Sequence, residues 1–214
     1  MPRLPEIGSF LVIRRDNIGD MVCTTPLFTA LRTFFPSANI CALANTYNRA
    51  VLDRNPFVDT IYSLPTYGGS FDMENLWQRL STNASCFSAL RKKRFDCVIQ
   101  ASRSTPRDHR LFGRLLGAQR YLTRAFDPTN GHEIVRTLSI LNGVGLNVAP
   151  TPPCVFPDPE GVARARALLK CGPVRPALTA IHLSGRTPER QWPLENYLNF
   201  IGSSAESVGE LRLW

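Results

Sequence analysis

Apolar and polar positions alternate along this chain in two distinct periods. Short apolar runs near residues 9–14, 38–44, 58–63, 95–101 and 119–122 predict strands. Between them, apolar residues recur at helical spacing over 21–35, 47–55, 72–93, 106–117 and 130–144. In the first of these helices the stripe is Met21, Thr24, Thr25, Leu27, Phe28, Leu31, Phe34 and Phe35. Pro36 and Pro56 follow two of the helices, where a residue that cannot continue a helix is common. Alternating strands and helices predict an α/β fold: a parallel, doubly wound sheet with helices on both faces. The stretch LPTYGGSFDMEN, 64–75, reads as a loop before an unusually long helical segment.

The pattern breaks at the proline-rich stretch LNVAPTPPCVFPD, 146–158, which reads as a stiff, extended connector. A helical segment follows over 159–171. After Pro173 and Pro176 comes a new apolar strand, Leu178 to Leu183, then the polar loop SGRTPERQWP and a helix from about Leu194. This second strand–loop–helix restarts the N-terminal pattern. The expected organisation is a Rossmann-like domain over 1–145, a connector with a linker helix over 146–176, and a second Rossmann-like domain over 177–214. From Leu178 to Trp214 there are 37 residues, too few for a full second sheet, so that domain is expected to be incomplete.

The first strand–turn–helix concentrates the candidate chemistry. Phe10-Leu11-Val12-Ile13 runs into the polar turn Arg14-Arg15-Asp16-Asn17, which closes on Ile18-Gly19-Asp20. In parallel α/β sheets ligands gather at the carboxyl ends of the strands. Here that end carries one carboxylate, Asp20, behind a glycine and two arginines: a place for a base and an anionic substrate. Gly19 lets a substrate approach the backbone closely. Asp20 reads equally well as a helix cap, and Asp16 as a turn residue. By the period of two, one of Arg14 and Arg15 faces the cleft and the other faces away. Thr24 and Thr25, in the first turn, are candidate donors to a substrate hydroxyl; the competing reading is capping or packing. In the later loop, Arg186 and Arg190 precede a helix, a natural diphosphate site.

Charge adds a second feature. The net charge is +8, and residues 91–124 hold ten Lys/Arg against two acids, Asp96 and Asp108. Such a face suits anionic lipid headgroups or a phosphorylated glycan. Sparse aromatic interleaving argues against nucleic acid. The six cysteines form no C-x-x-C pair, and the three histidines make no metal cluster, so reduced thiols in a cytoplasmic protein are expected. No transmembrane stretch or signal peptide is read from the sequence, so membrane contact is expected to be peripheral.

The segments RRDNIGDMVCTTPLFTALRTFFPSANI and ANTYNRAVLDRNPFVDTIY, with the later IHLSGRTPERQWPLENYLNFI, resemble glycosyltransferase family 9. Its members include the heptosyltransferases of bacterial lipopolysaccharide core synthesis. The resemblance implies a GT-B architecture, with the acceptor on the N-terminal domain and the nucleotide-sugar on the C-terminal one. It implies inverting transfer of a sugar, a heptose, from an ADP-heptose-like donor to a lipid-linked glycan on the cytoplasmic membrane face, without a metal or other cofactor. Asp20 matches the family's general base, and Arg14 a basic residue near a substrate phosphate. Ser184, Gly185, Arg186, Thr187 and Arg190 match the donor-diphosphate loop, where the family usually has Lys at the position of Arg190. The family's later residues for the base and ribose have no counterpart. The alternative is a non-catalytic remnant that keeps only the acceptor-side domain. A Rossmann dehydrogenase is disfavoured, because DNIGDM lacks the G-x-G-x-x-G turn.

Overall fold

A computed structural model describes residues 5–64, 84–101, 116–123, 131–168, 181, 183, 189 and 191–208. The chain divides into two compact units, Met1–Val162 and Ala163–Trp214.

The first unit is built on a five-stranded parallel sheet. Its strands are β1 (Ser9–Ile13), β2 (Asn39–Asn45), β3 (Thr60–Leu64), β4 (Cys97–Gln100) and β5 (Arg120–Thr123), in the order β3-β2-β1-β4-β5. Each lies within two residues of its expected position. In the register, Phe10 stands beside Ile40 on one side and Cys97 on the other. Successive residues of β1 point to opposite faces. Phe10 and Val12 enter one core with Leu27, Phe28 and Leu31, while Leu11 and Ile13 enter the other with Leu90, Phe95 and Val98. Burial on both faces is why β1 reads as a continuous apolar run. The chain winds outward from β1 in one direction and resumes at β4 in the other. The topological switch point, where ligands of such sheets bind, therefore lies between β1 and β4.

The expected helix over 21–35 is two helices, α1 (Ile18–Val22) and α2 (Thr25–Phe34). Pro26 causes the break: it has no N–H for the Val22 carbonyl and would clash with it in a continuous helix. The Thr25 hydroxyl donates to that carbonyl instead, at 2.8 Å. The expected helix over 47–55 is a single 3-10 turn, Arg49–Val51. There the asparagine side chains bond the backbone locally: the Asn48 Oδ1 accepts from the Asn45 N–H at 3.0 Å, and the Asn55 Oδ1 from the Phe57 N–H at 2.9 Å. Within the segment expected over 72–93, a helix α3 is described over 84–93. The loop at 65–75 and most of the helix at 106–117 lie outside the described residues. The helix expected over 130–144 is α4 (Glu133–Leu138), which tightens to a 3-10 segment over Ser139–Val144. It ends at Gly145, whose φ of 81° suits glycine.

The proline-rich stretch is extended and packs against the rest of the first unit. The Cys154 N–H donates to the Thr25 hydroxyl at 2.9 Å, Phe156 meets Phe57 edge-on, and Arg54 pairs with Asp158 at 2.6 Å. Helix α5 (Pro159–Leu168) follows, its first turn fixed by the Gly161 N–H donating to Asp158. In the second unit, α6 (Leu194–Val208) begins where the sequence places a helix. Trp192 packs edge-on against Tyr197 at 5.0 Å and steadies its first turn.

Candidate functional site

The switch point is occupied by one buried cation. Arg14 follows β1 directly and is 1% exposed. Its Nη1 donates to the carbonyl of Ala101, the residue after β4, so the guanidinium bridges the two strands that diverge there. Its other nitrogens meet three carboxylates. The Nε lies 2.7 Å from Asp16, and Nη2 lies 3.1 Å from the Asp20 Oδ1 and 3.0 Å from the Glu133 Oε1. A guanidinium presents five donors in a rigid fork, which is why arginine can hold this many acceptors in place.

Asp20 is the third residue of α1, and its cap is Asn17. The Asp20 Oδ2 accepts from the Asn17 side-chain amide at 3.0 Å and from the Asn17 N–H at 3.4 Å. Both carboxylate oxygens are thus fixed, while the side chain keeps 32% of its surface exposed. A carboxylate has about four acceptor directions, so room remains for a donor from solvent or substrate. Gly19 beside it is exposed, and a Cβ built there would meet nothing within 4 Å.

The turn carrying these groups is anchored from β2. The buried Asn45 side-chain amide donates to the carbonyls of Arg15 and Asp16 at 2.8 and 3.0 Å. The buried Asn48 amide donates to those of Arg14 and Asp16, each at 3.2 Å. Four hydrogen bonds therefore fix a loop that has no regular structure of its own. Burial raises the pKa of Asp16, with Arg14 opposing and Asp20 adding to the rise. Burial also raises that of the Cys23 thiol, with the charges of Glu133 and Asp20 in support.

Of the expected site residues, the structure brings Arg14, Gly19 and Asp20 together at the switch point. Arg14, expected beside a substrate phosphate, is enclosed by carboxylates instead. Thr24 and Thr25, expected as donors to a substrate hydroxyl, are fully buried. Their hydroxyls donate to the carbonyls of Asp20 and Val22, because the chain must satisfy those groups around the break before Pro26. They shape the site and do not face it. Ser184, Gly185, Arg186, Thr187 and Arg190 lie outside the described residues. Sequence reasoning missed Glu133, Asn45 and Asn48. A pair of asparagines directly after a buried strand was a readable signal for the last two. Glu133, at the start of a helix 119 positions from Arg14, had none. Among the described residues there is no group of His, Cys, Asp and Glu fit to hold a metal ion, and no helix long and apolar enough to cross a membrane.

The fold is that of solved glycosyltransferases, an α/β architecture of the GT-B type with a Rossmann-like parallel sheet. One similar structure is a glycosyl transferase family 9 protein from Veillonella parvula, with TM-score 0.72 and 18% identity, covering 96% of this chain and 62% of that one. Another is the E. coli heptosyltransferase WaaC with ADP, with TM-score 0.59, 17% identity and coverage of 93% and 65%. A third is the E. coli ADP-heptose lipopolysaccharide heptosyltransferase II, with TM-score 0.62, 16% identity and coverage of 94% and 62%. The chain thus spans less than two thirds of the length of these structures. No family sequence profile and no curated protein sequence matches it.

Proposed function

We propose that this chain is an inverting glycosyltransferase, with the acceptor on its N-terminal unit and Asp20 as the general base. The observation that carries the reading is a partly exposed carboxylate held rigid at the switch point of a glycosyltransferase fold. In the reaction, an acceptor hydroxyl oxygen attacks the anomeric carbon of a nucleotide-sugar. The new C–O bond forms as the bond to the diphosphate breaks, and the diphosphate leaves with that electron pair. Asp20 takes the hydroxyl proton as the oxygen loses electron density. Arg14 fixes the carboxylate, so its orientation is set before the acceptor arrives. Ser184, Gly185, Arg186, Thr187 and Arg190 are assigned to the donor diphosphate, where cationic and amide donors stabilise the leaving group. The donor is an ADP-heptose-like nucleotide-sugar, and the acceptor a lipopolysaccharide-type glycan at the cytoplasmic membrane face.

The test is a transfer assay with the chain, ADP-heptose and a lipopolysaccharide core acceptor. Release of ADP with a one-heptose gain in acceptor mass supports the reading. Absence of both from folded protein, at substrate levels saturating for a heptosyltransferase control, contradicts it.

A further inference from the structure

A sugar whose hydroxyl reaches Asp20 has a second surface to satisfy, the C–H face of its ring, and this inference rests on the transferase reading above. Two exposed apolar side chains stand at the same end of the sheet: Tyr47 is 60% exposed and Ile18 41%. Tyr47 lies in the turn between β2 and the 3-10 segment Arg49–Val51, flanked by the buried Asn45 and Asn48. The two asparagines close that turn on each other. The Asn48 N–H donates to the Asn45 Oδ1 at 2.6 Å, and the Asn45 N–H to the Asn48 Oδ1 at 3.0 Å. Because their amides also hold the backbone of Arg14, Arg15 and Asp16, Tyr47 is carried on one hydrogen-bonded block with the turn that leads into Asp20. Its phenol has no hydrogen-bond or ring partner among the described residues. Ile18 opens α1 on the helix face of Met21 and Val22, and α1 contacts the 3-10 segment that follows Tyr47. Gly19, exposed and without a side chain, leaves open the space between Ile18 and Asp20.

We propose that Tyr47 is an acceptor-binding residue: a pyranose ring of the acceptor glycan lays its C–H face on the phenol ring, which brings a hydroxyl of that sugar over Gly19 toward Asp20. A pyranose carries hydroxyls at its rim and C–H bonds on its faces. The face of an aromatic ring is electron-rich and attracts the weakly positive C–H groups. Single exposed apolar residues are ordinary on protein surfaces. What distinguishes Tyr47 is its mounting. Its side chain has two torsions and its turn is fixed by buried amides, so receiving a ligand costs little ordering. Asp20 then reads a hydroxyl and Tyr47 reads the ring, and the ring contact is made whatever charged groups the sugar bears elsewhere.

The test is an NMR titration of the full chain with a deacylated lipopolysaccharide core oligosaccharide. It follows the Tyr47 ring signals and the amides of Gly19 and Asp20 in the native chain, Tyr47→Phe and Tyr47→Ala. In the native chain the ring and both amides are expected to shift together, with one dissociation constant. Tyr47→Phe should keep that constant within about twofold, and Tyr47→Ala should weaken binding by about fivefold or more, as loss of an aromatic contact predicts. Equal binding by Tyr47→Ala overturns the proposal but leaves the transferase reading standing. So does a loss in Tyr47→Phe as large as in Tyr47→Ala, which assigns the contact to the hydroxyl. Should a variant fail to fold, the native chain decides: a Tyr47 ring that stays unshifted while Gly19 and Asp20 move overturns the proposal alone. Gly19 and Asp20 unshifted at saturating oligosaccharide overturn both the proposal and the assignment of the acceptor to this site.

Discussion

Replacing Arg14 with methionine tests the architecture of the site most severely. Methionine keeps an unbranched apolar stem but removes the charge and all five donors. Three carboxylates are then left around the place of a side chain that was 1% exposed, and the Ala101 carbonyl loses its donor. Breaking a buried ion pair from one side costs about 3–5 kcal/mol. The carboxylates retain 22–32% exposure and partly rehydrate, which favours the lower end of that range. Leaving a buried carbonyl without a donor adds about 1 kcal/mol. The expected loss is therefore about 4 kcal/mol, a large part of the ~5–15 kcal/mol that holds a domain together. Urea unfolding followed by circular dichroism reads this directly. With a slope of about 2 kcal/mol per molar, the midpoint should fall by about 2 M. A midpoint within about 0.3 M of the native value at neutral pH would refute the picture of a buried cation holding the turn together.

Other expectations follow from single groups. Because burial raises the Asp16 pKa in the folded state, folding binds its proton more tightly, and its contribution to stability grows as pH falls through that raised value. Asp16→Asn removes this titration. Its cost relative to the native chain should therefore diminish as pH rises from mildly acid to neutral; urea midpoints across that range check it, and a cost that grows with pH would contradict it. Arg94 ends α3 with φ of 48°, a left-handed conformation. Relieving it costs glycine's own entropy but removes a larger strain, so Arg94→Gly should raise stability by about 0.5–1 kcal/mol in urea unfolding. An unchanged or lower midpoint would count against that strain. The Cys97 thiol is fully buried, and burial pushes its pKa up to about 12, whereas Cys154 is exposed. At pH 8, a disulfide reagent should label Cys154 in the folded chain and reach Cys97 only on unfolding, as peptide mass mapping would show.

The sheet could be read from the sequence because its three central strands, β2, β1 and β4, are buried almost throughout, so their apolar runs stand out against polar turns. Helix ends were less clear. Pro26 sits inside an uninterrupted apolar stripe, and only its missing N–H, answered by the Thr25 hydroxyl, shows that one helix is two. Asp20 and Arg14 could be singled out because both follow β1 within seven residues of its end. What joins them could not. Glu133 reaches Arg14 from a helix distant in sequence, and Asn45 and Asn48 reach the turn from the end of β2. Those contacts depend on strand order, which hydrophobic periodicity does not encode. The same limit explains the threonines: hydroxyls in a first turn look available until the burial around Pro26 is known.

The most direct test of the central claim compares native chain and Asp20→Asn in the heptose-transfer assay. The variant's fold is verified by an unchanged circular dichroism spectrum and an unchanged amide pattern outside α1. A general base in this position predicts a fall in turnover of about 10²- to 10⁴-fold, with donor binding retained. Near-native turnover by the folded variant would contradict the assignment of Asp20 as the base.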